Sequence, residues 1–141
     1  MALLVCSCGG ANPVAPSARA HIRATIVTFM RELAAANGKV ACEGLTDSGQ
    51  NSVIGAIGPE LANFGIDTCA QTVAVTGSQL TAKLRRALLA VRVGSVSVTG
   101  SSAIVSWSQI TSPSGDLAAF FGHPRTMRLR ATGGFWQIDR L

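Results

Sequence analysis

Between residues 18 and 90 the apolar positions keep a helical rhythm; beyond that they alternate. Ile22, Ile26, Phe29, Met30 and Leu33 recur at three- and four-residue steps. Ser17 stands ahead of them with a hydroxyl suited to the first free N–H groups, and Asn37-Gly38 behind them supplies a left-handed stop. The spacing predicts an amphipathic helix between these two signals. A short second helix is expected to carry Cys42 and Leu45. Residues 48–66 hold four glycines and a proline and read as loop with one helical turn. From Cys69 a further helical stretch runs to about residue 90, interrupted near Gly77-Ser78. Leu80, Leu84 and Leu88 share one stripe of it, and Lys83, Arg85 and Arg86 lie mostly off that stripe, so a sheet is needed to cover it.

The alternating half begins with Val91 and Val93 on one parity and Val96 and Val98 on the other, a slip that predicts a bulge at Gly94. Thr99-Gly100-Ser101-Ser102 turns the chain into a strand over residues 103–110, with Val105 and Trp107 on one face and Ile104, Ser106 and Ser108 on the other. A loop over residues 111–124 follows. Met127, Leu129 and Ala131 then alternate with Arg128 and Arg130, Gly133-Gly134 turns, and residues 135–139 return with Trp136 and Ile138 inward and Asp139 opposite. Helices followed by two hairpins predict an α+β fold: N-terminal helices packed on one face of a curved, four-strand antiparallel sheet.

At 141 residues the chain is the size of one domain. With 48% hydrophobic and 13% charged residues and a positive mean hydropathy, it has the composition of a chain that folds. The net charge of +5 attracts anions at long range. The basic residues are nonetheless spread from Arg19 to Arg140 and are not interleaved with the aromatics, which argues against nucleic acid as a partner.

The cysteines split into two sets. Cys6 and Cys8 close an apolar start and precede Gly-Gly, whereas Cys42 and Cys69 stand apart in the body. A small residue before a cysteine, after apolar residues, resembles a bacterial lipobox, and Cys8, behind Ser7, is the better candidate for acylation. The stretch before it is shorter than a secretory leader and lacks the basic region, so either the start lies upstream or the stretch is not a signal. On the lipobox reading, residues 1–18 form a residual signal and flexible tether with prolines at 13 and 16, and residues 19–141 form the domain. Cys42 and Cys69 are then an even pair in an oxidising compartment, available for one disulfide. It would close a loop of about 27 residues and contribute roughly 3 to 4 kcal/mol.

Several features together look familiar: the opening helix, Ala-Cys-x-x-Leu-Thr at residues 41–46, a second cysteine opening another helix at Cys69, and the closing Gly-Gly-Phe-Trp-Gln-Ile-Asp at residues 133–139. They resemble small actinobacterial lipoproteins with a nuclear transport factor 2-like, or SnoaL-like, cone-shaped domain, over residues 19–141. The resemblance implies a cavity between helices and sheet, on the extracytoplasmic face of the cell membrane or in a secreted form. That superfamily includes isomerases, cyclases and dehydratases as well as binding domains without chemistry, so the site must be argued from its residues.

Those residues favour binding. The chain has no tyrosine to serve as an oxyanion donor of the ketosteroid-isomerase kind. His21 and His123 are far apart without metal-ligand spacing, so no metal site is expected. No Gly-x-Ser-x-Gly elbow, phosphate loop or dinucleotide fingerprint occurs, and no cofactor is expected. Phe29, Phe64 and Trp107 are candidates to line an apolar cavity, although packing explains Trp107 more simply. Arg128 is a candidate anion contact, although solvation of an exposed strand face explains it more simply. Asp116 and His123 are the catalytic candidates of an alternative lyase or isomerase reading. The expected partners are therefore the membrane, through the anchor, and an apolar small molecule or an envelope protein. A homodimer through the exposed sheet face is a third class.

Overall fold

The computed structural model describes residues 17–141; Cys6, Cys8 and most of the tether lie outside the described residues. The first helix, α1 (Ala18–Ala34), is capped by the Ser17 hydroxyl, which accepts from the Ala20 N–H at 3.2 Å. Its stripe of Ile22, Ile26, Phe29, Met30 and Leu33 is fully buried, the half-buried polar flank following the helical period. The stop differs from expectation. The left-handed residue is Ala36, at φ 57°, and Asn37 instead caps α2 (Gly38–Glu43) by accepting from the Val40 N–H. Gly38 serves proximity, because a Cβ there would collide with the carbonyl of Ala70.

Leu45 lies beyond α2, contrary to its expected place in the same helix as Cys42, and bridges in parallel to Ile138. The larger correction concerns residues 48–66. They begin with a true helix, α3 (Asp47–Ile57), and only then loosen into a 3-10 turn at Leu61–Phe64 closed by left-handed Gly65. Thr46 caps α3, Asp47 complements its positive end, and Val53 is completely buried. Tertiary packing thus overrides the poor helix propensity of Gly49 and Gly55.

Next come α4 (Cys69–Ser78) and α5 (Ala82–Leu89), separated as predicted and capped by Thr68 and Thr81. Arg85 ties this break together, donating to the carbonyls of Ala34 and Gly77. A disulfide joins Cys42 in α2 to Cys69 at the start of α4, with Cα atoms 6.1 Å apart.

The strands form two sheets. In the small one β1 (Arg92–Val93) pairs antiparallel with β4 (Ile110–Thr111). The large one orders β2 (Ser97–Thr99), β3 (Ser102–Ser106), β5 (Thr126–Thr132) and β6 (Phe135–Arg140), all antiparallel. The expected bulge at Gly94 is therefore a crossing from one sheet to the other. Gly94 donates to the carbonyl of Gln109, whose side chain accepts from Ser95, and Arg19 and Arg23 of α1 take the carbonyls of Val96 and Gly94. The strand expected over residues 103–110 likewise breaks into a 3-10 turn at Trp107–Gln109, and the 111–124 loop contains a one-turn helix, α6 (Leu117–Phe120).

The alternation is otherwise as read. Ala103, Val105, Met127, Leu129 and Ile138 face inward, against the helical layer, while Ile104, Arg128 and Arg130 face out. The fold is α+β, with helices on one face of a four-strand antiparallel sheet.

Candidate functional site

The core stripe of α1 has a neighbour, the line His21, Ala24, Thr25 and Thr28, which is turned toward an open groove, Thr25 half-buried and the other three exposed. Three- and four-residue steps stack these side chains over one strip of helix. Opposite them stand Val40 and Ala41 of α2 and the start of β6 with Phe135 and Trp136. The groove so enclosed measures about 620 Å³, and its lining is mainly apolar. Phe29, 2% exposed, reaches it from the core side.

Polar groups set the walls and the rim. The Thr25 hydroxyl sits between the carbonyls of His21 and Trp136, at 3.0 and 3.1 Å, and so fixes α1 against the edge strand. Gln137 donates its side-chain N–H to the carbonyls of Glu43 and Leu45, fixing the end of α2 to the same strand. The edge of β6 is further closed by the backbone of residues 44–46: Ile138 donates to Gly44 and accepts from Thr46. His21 and Glu43 are exposed at the rim. Such a groove is suited to an apolar body with one polar end directed outward.

A second cleft of about 590 Å³ lies between the β3–β4 connection and the segment that carries α6. Ser106, Ser108, Asp116, His123 and Arg125 give it a polar lining. Asp116 and His123, distant in their shared loop, are thus brought to one cleft. Asp116 is already engaged, its carboxylate capping α6 by accepting from the Ala119 N–H at 3.4 Å. Beneath this cleft Trp107, 4% exposed, stacks at 5.0 Å on Phe121, which also contacts Phe29 and Phe120.

Phe29, Phe64 and Trp107, the candidates for an apolar lining, and Arg128, the candidate anion contact, lie apart. Phe29 lines the groove, Trp107 the second cleft, Phe64 is 79% exposed on the 3-10 turn, and Arg128 projects from the outer face of the sheet. The reason is topological: Phe64 falls in the one turn of residues 48–66 that does not pack inward, and Arg128 has the outward parity of β5. Phe121, placed by its sequence in a plain loop, is 2% exposed and forms the hub of the aromatic cluster. Thr25, Val40 and Trp136 were also missed as lining. Trp136 beside a double-glycine turn was the only available signal, since a groove wall on a helix flank has no periodicity of its own.

Among the described residues no group of three or more His, Cys, Asp or Glu converges as a metal site, and no helix is long and apolar enough to cross a membrane. No family model matches the chain, and comparison with curated proteins and with solved structures likewise gives no match.

Proposed function

We propose that this chain is a lipid-tethered extracytoplasmic binding domain of nuclear transport factor 2-like form, which holds an apolar small molecule in the groove above Phe29 and carries out no reaction on it. The observation that carries this reading is the groove itself: about 620 Å³, apolar in lining, with walls held by the Thr25 and Gln137 hydrogen bonds and titratable groups only at the rim. A cavity of this size matches a small-molecule ligand, and burial of its apolar surface supplies the affinity. The Cys42–Cys69 disulfide supports an oxidising compartment, and the lipobox-like start supports attachment through Cys8.

Substitution of exposed Ala24, on the groove wall, tests the site without disturbing the core. Ala24→Trp is expected to lower the affinity for a fluorescent apolar probe such as N-phenyl-1-naphthylamine by at least about tenfold, with melting unchanged. Undiminished binding by this variant would remove the groove from consideration. For the anchor, labelled fatty acid should be incorporated in the native host and lost in Cys8→Ala.

The convergence of Asp116 and His123 on one cleft favours a second reading, a SnoaL-like lyase or isomerase. A substrate turned over by the wild-type protein and equally well by Asp116→Asn/His123→Gln would eliminate it.

A further inference from the structure

Apart from Phe135 and Gln137 at its β6 edge, the outer face of the large sheet is assigned no task by the groove or by the anchor. Antiparallel pairing sets Ile104, Arg128 and Arg140 in one cross-strand row, and Ser102, Arg130 and Gln137 in the next. The register shift at Arg128/Leu129 creates the first row. Leu129 pairs with Ile138 and Arg128 with Arg140, so Asp139 is the additional residue of a bulge, and Arg140 is turned to the same face as Arg128.

Asp139 is the only acid in the four strands of this sheet, and it is already committed. It accepts from the Thr46 hydroxyl at 2.8 Å and pairs with Arg130 at 3.8 Å. Arg128 and Arg140 therefore oppose each other with no acid between them, an arrangement that disfavours strand pairing unless an anion is brought in.

Charge is also polarised through the chain. Residues 38–67 carry one cation (Lys39) and four acids (Glu43, Asp47, Glu60, Asp67), while residues 92–140 carry five arginines (92, 125, 128, 130, 140) and two acids (116, 139). Two large apolar side chains are exposed there: Ile104, 45% exposed, on the outer face itself, and Phe135, 76% exposed at the hairpin end, where that face meets the rim of the groove.

From this juxtaposition we infer that the outer sheet face docks on the surface of an anionic bilayer, with Arg128 and Arg140 sharing lipid phosphates and Ile104 and Phe135 entering the interface between head groups and acyl chains. A second copy of the chain is disfavoured as occupant, because two such faces would oppose arginine to arginine. A soluble anionic polymer would satisfy the guanidinium groups but offer no apolar phase to the two hydrophobic side chains. A lipid surface satisfies both, and each arginine held at it raises the partition coefficient about fivefold.

The inference goes beyond the groove and does not need acylation. It is tested with the full chain carrying Cys6→Ala/Cys8→Ala, so that failure of the anchor and failure of the face are read separately. Sedimentation with vesicles of phosphatidylcholine plus phosphatidylglycerol should be strong and suppressed by salt, and weak with phosphatidylcholine alone. Arg128→Gln/Arg140→Gln should lose about 25-fold in partition. Lys83→Gln/Arg86→Gln, the same charge change at exposed positions of α5, should lose much less; melting no lower than that of the parent confirms that both variants fold. Ile104→Ser, which leaves the groove intact, should weaken vesicle binding while leaving polyphosphate binding untouched. Equal losses in the two charge variants, polyphosphate binding without vesicle binding, or a dimer in solution abolished by Arg128→Gln/Arg140→Gln would each overturn the inference.

Discussion

One hydroxyl, that of Thr46, serves two distant parts of the chain. It accepts from the Gly49 N–H at 3.1 Å, capping α3, and donates to Asp139 Oδ1 at 2.8 Å, fixing the bulged end of β6. Thr46→Val keeps the shape and removes both bonds, with an expected loss of about 1 to 3 kcal/mol in urea unfolding; Thr46→Ser should recover most of it. The Cys42–Cys69 bridge is the other residue-scale constraint, and its partners were legible in the sequence, because four cysteines divided by position left one even pair. Reduction is expected to cost about 3 kcal/mol, read as a shift in the urea midpoint with and without dithiothreitol. Thr46 was not legible as a joint. A threonine before Asp-Ser-Gly is an ordinary cap, and nothing local announces a carboxylate that arrives from the far end of the chain.

Among the elements, α1, α4, α5, β5 and β6 follow directly from period and punctuation, because each pairs a long apolar stripe with Ser, Thr or double-glycine boundaries. The exception, α3, is instructive about why glycine misleads. Gly49 and Gly55 both weaken a helix intrinsically, yet they stand in opposite surroundings. At Gly49 a Cβ would meet the carbonyl of Ile138, so the glycine is what lets α3 close on β6. At Gly55 nothing lies within 4 Å of that position. Gly55→Ala should therefore stabilise by about 0.4 to 1 kcal/mol. Gly49→Ala should destabilise by about 1 to 3 kcal/mol, because overpacking exceeds the gain in propensity. Thermal melting of the two single variants decides it; a stabilised Gly49→Ala would mean that α3 does not pack on β6 at this distance. The crossing at Gly94 belongs to the same class of surprise. A parity slip signals only that the strand changes its partner, and whether that happens by bulge or by passage to a second sheet depends on where Gln109 lies.

At the scale of the whole molecule, the groove and the arginine face adjoin along β6, where Phe135 and Gln137 border both, whereas Ala24 lies on α1, outside the sheet. Ala24→Trp should therefore weaken probe binding as stated above while leaving vesicle partition unchanged, as measured on one preparation. The sequence by itself determined the helical and alternating halves, the α+β class, the Ser17 cap, the disulfide partners and the outward parity of Arg128 and Arg130, because each depends on neighbours within a few positions or on cysteine parity. Only the tertiary structure decided that residues 47–57 are helix, that Phe121 joins Phe29 and Trp107 in the core, that Phe64 is left outside, and that Arg140 meets Arg128. Those outcomes rest on contacts between segments tens of residues apart, where a carbonyl, a bulge or an unfilled space in one element fixes what another can do, and local pattern carries no record of that encounter.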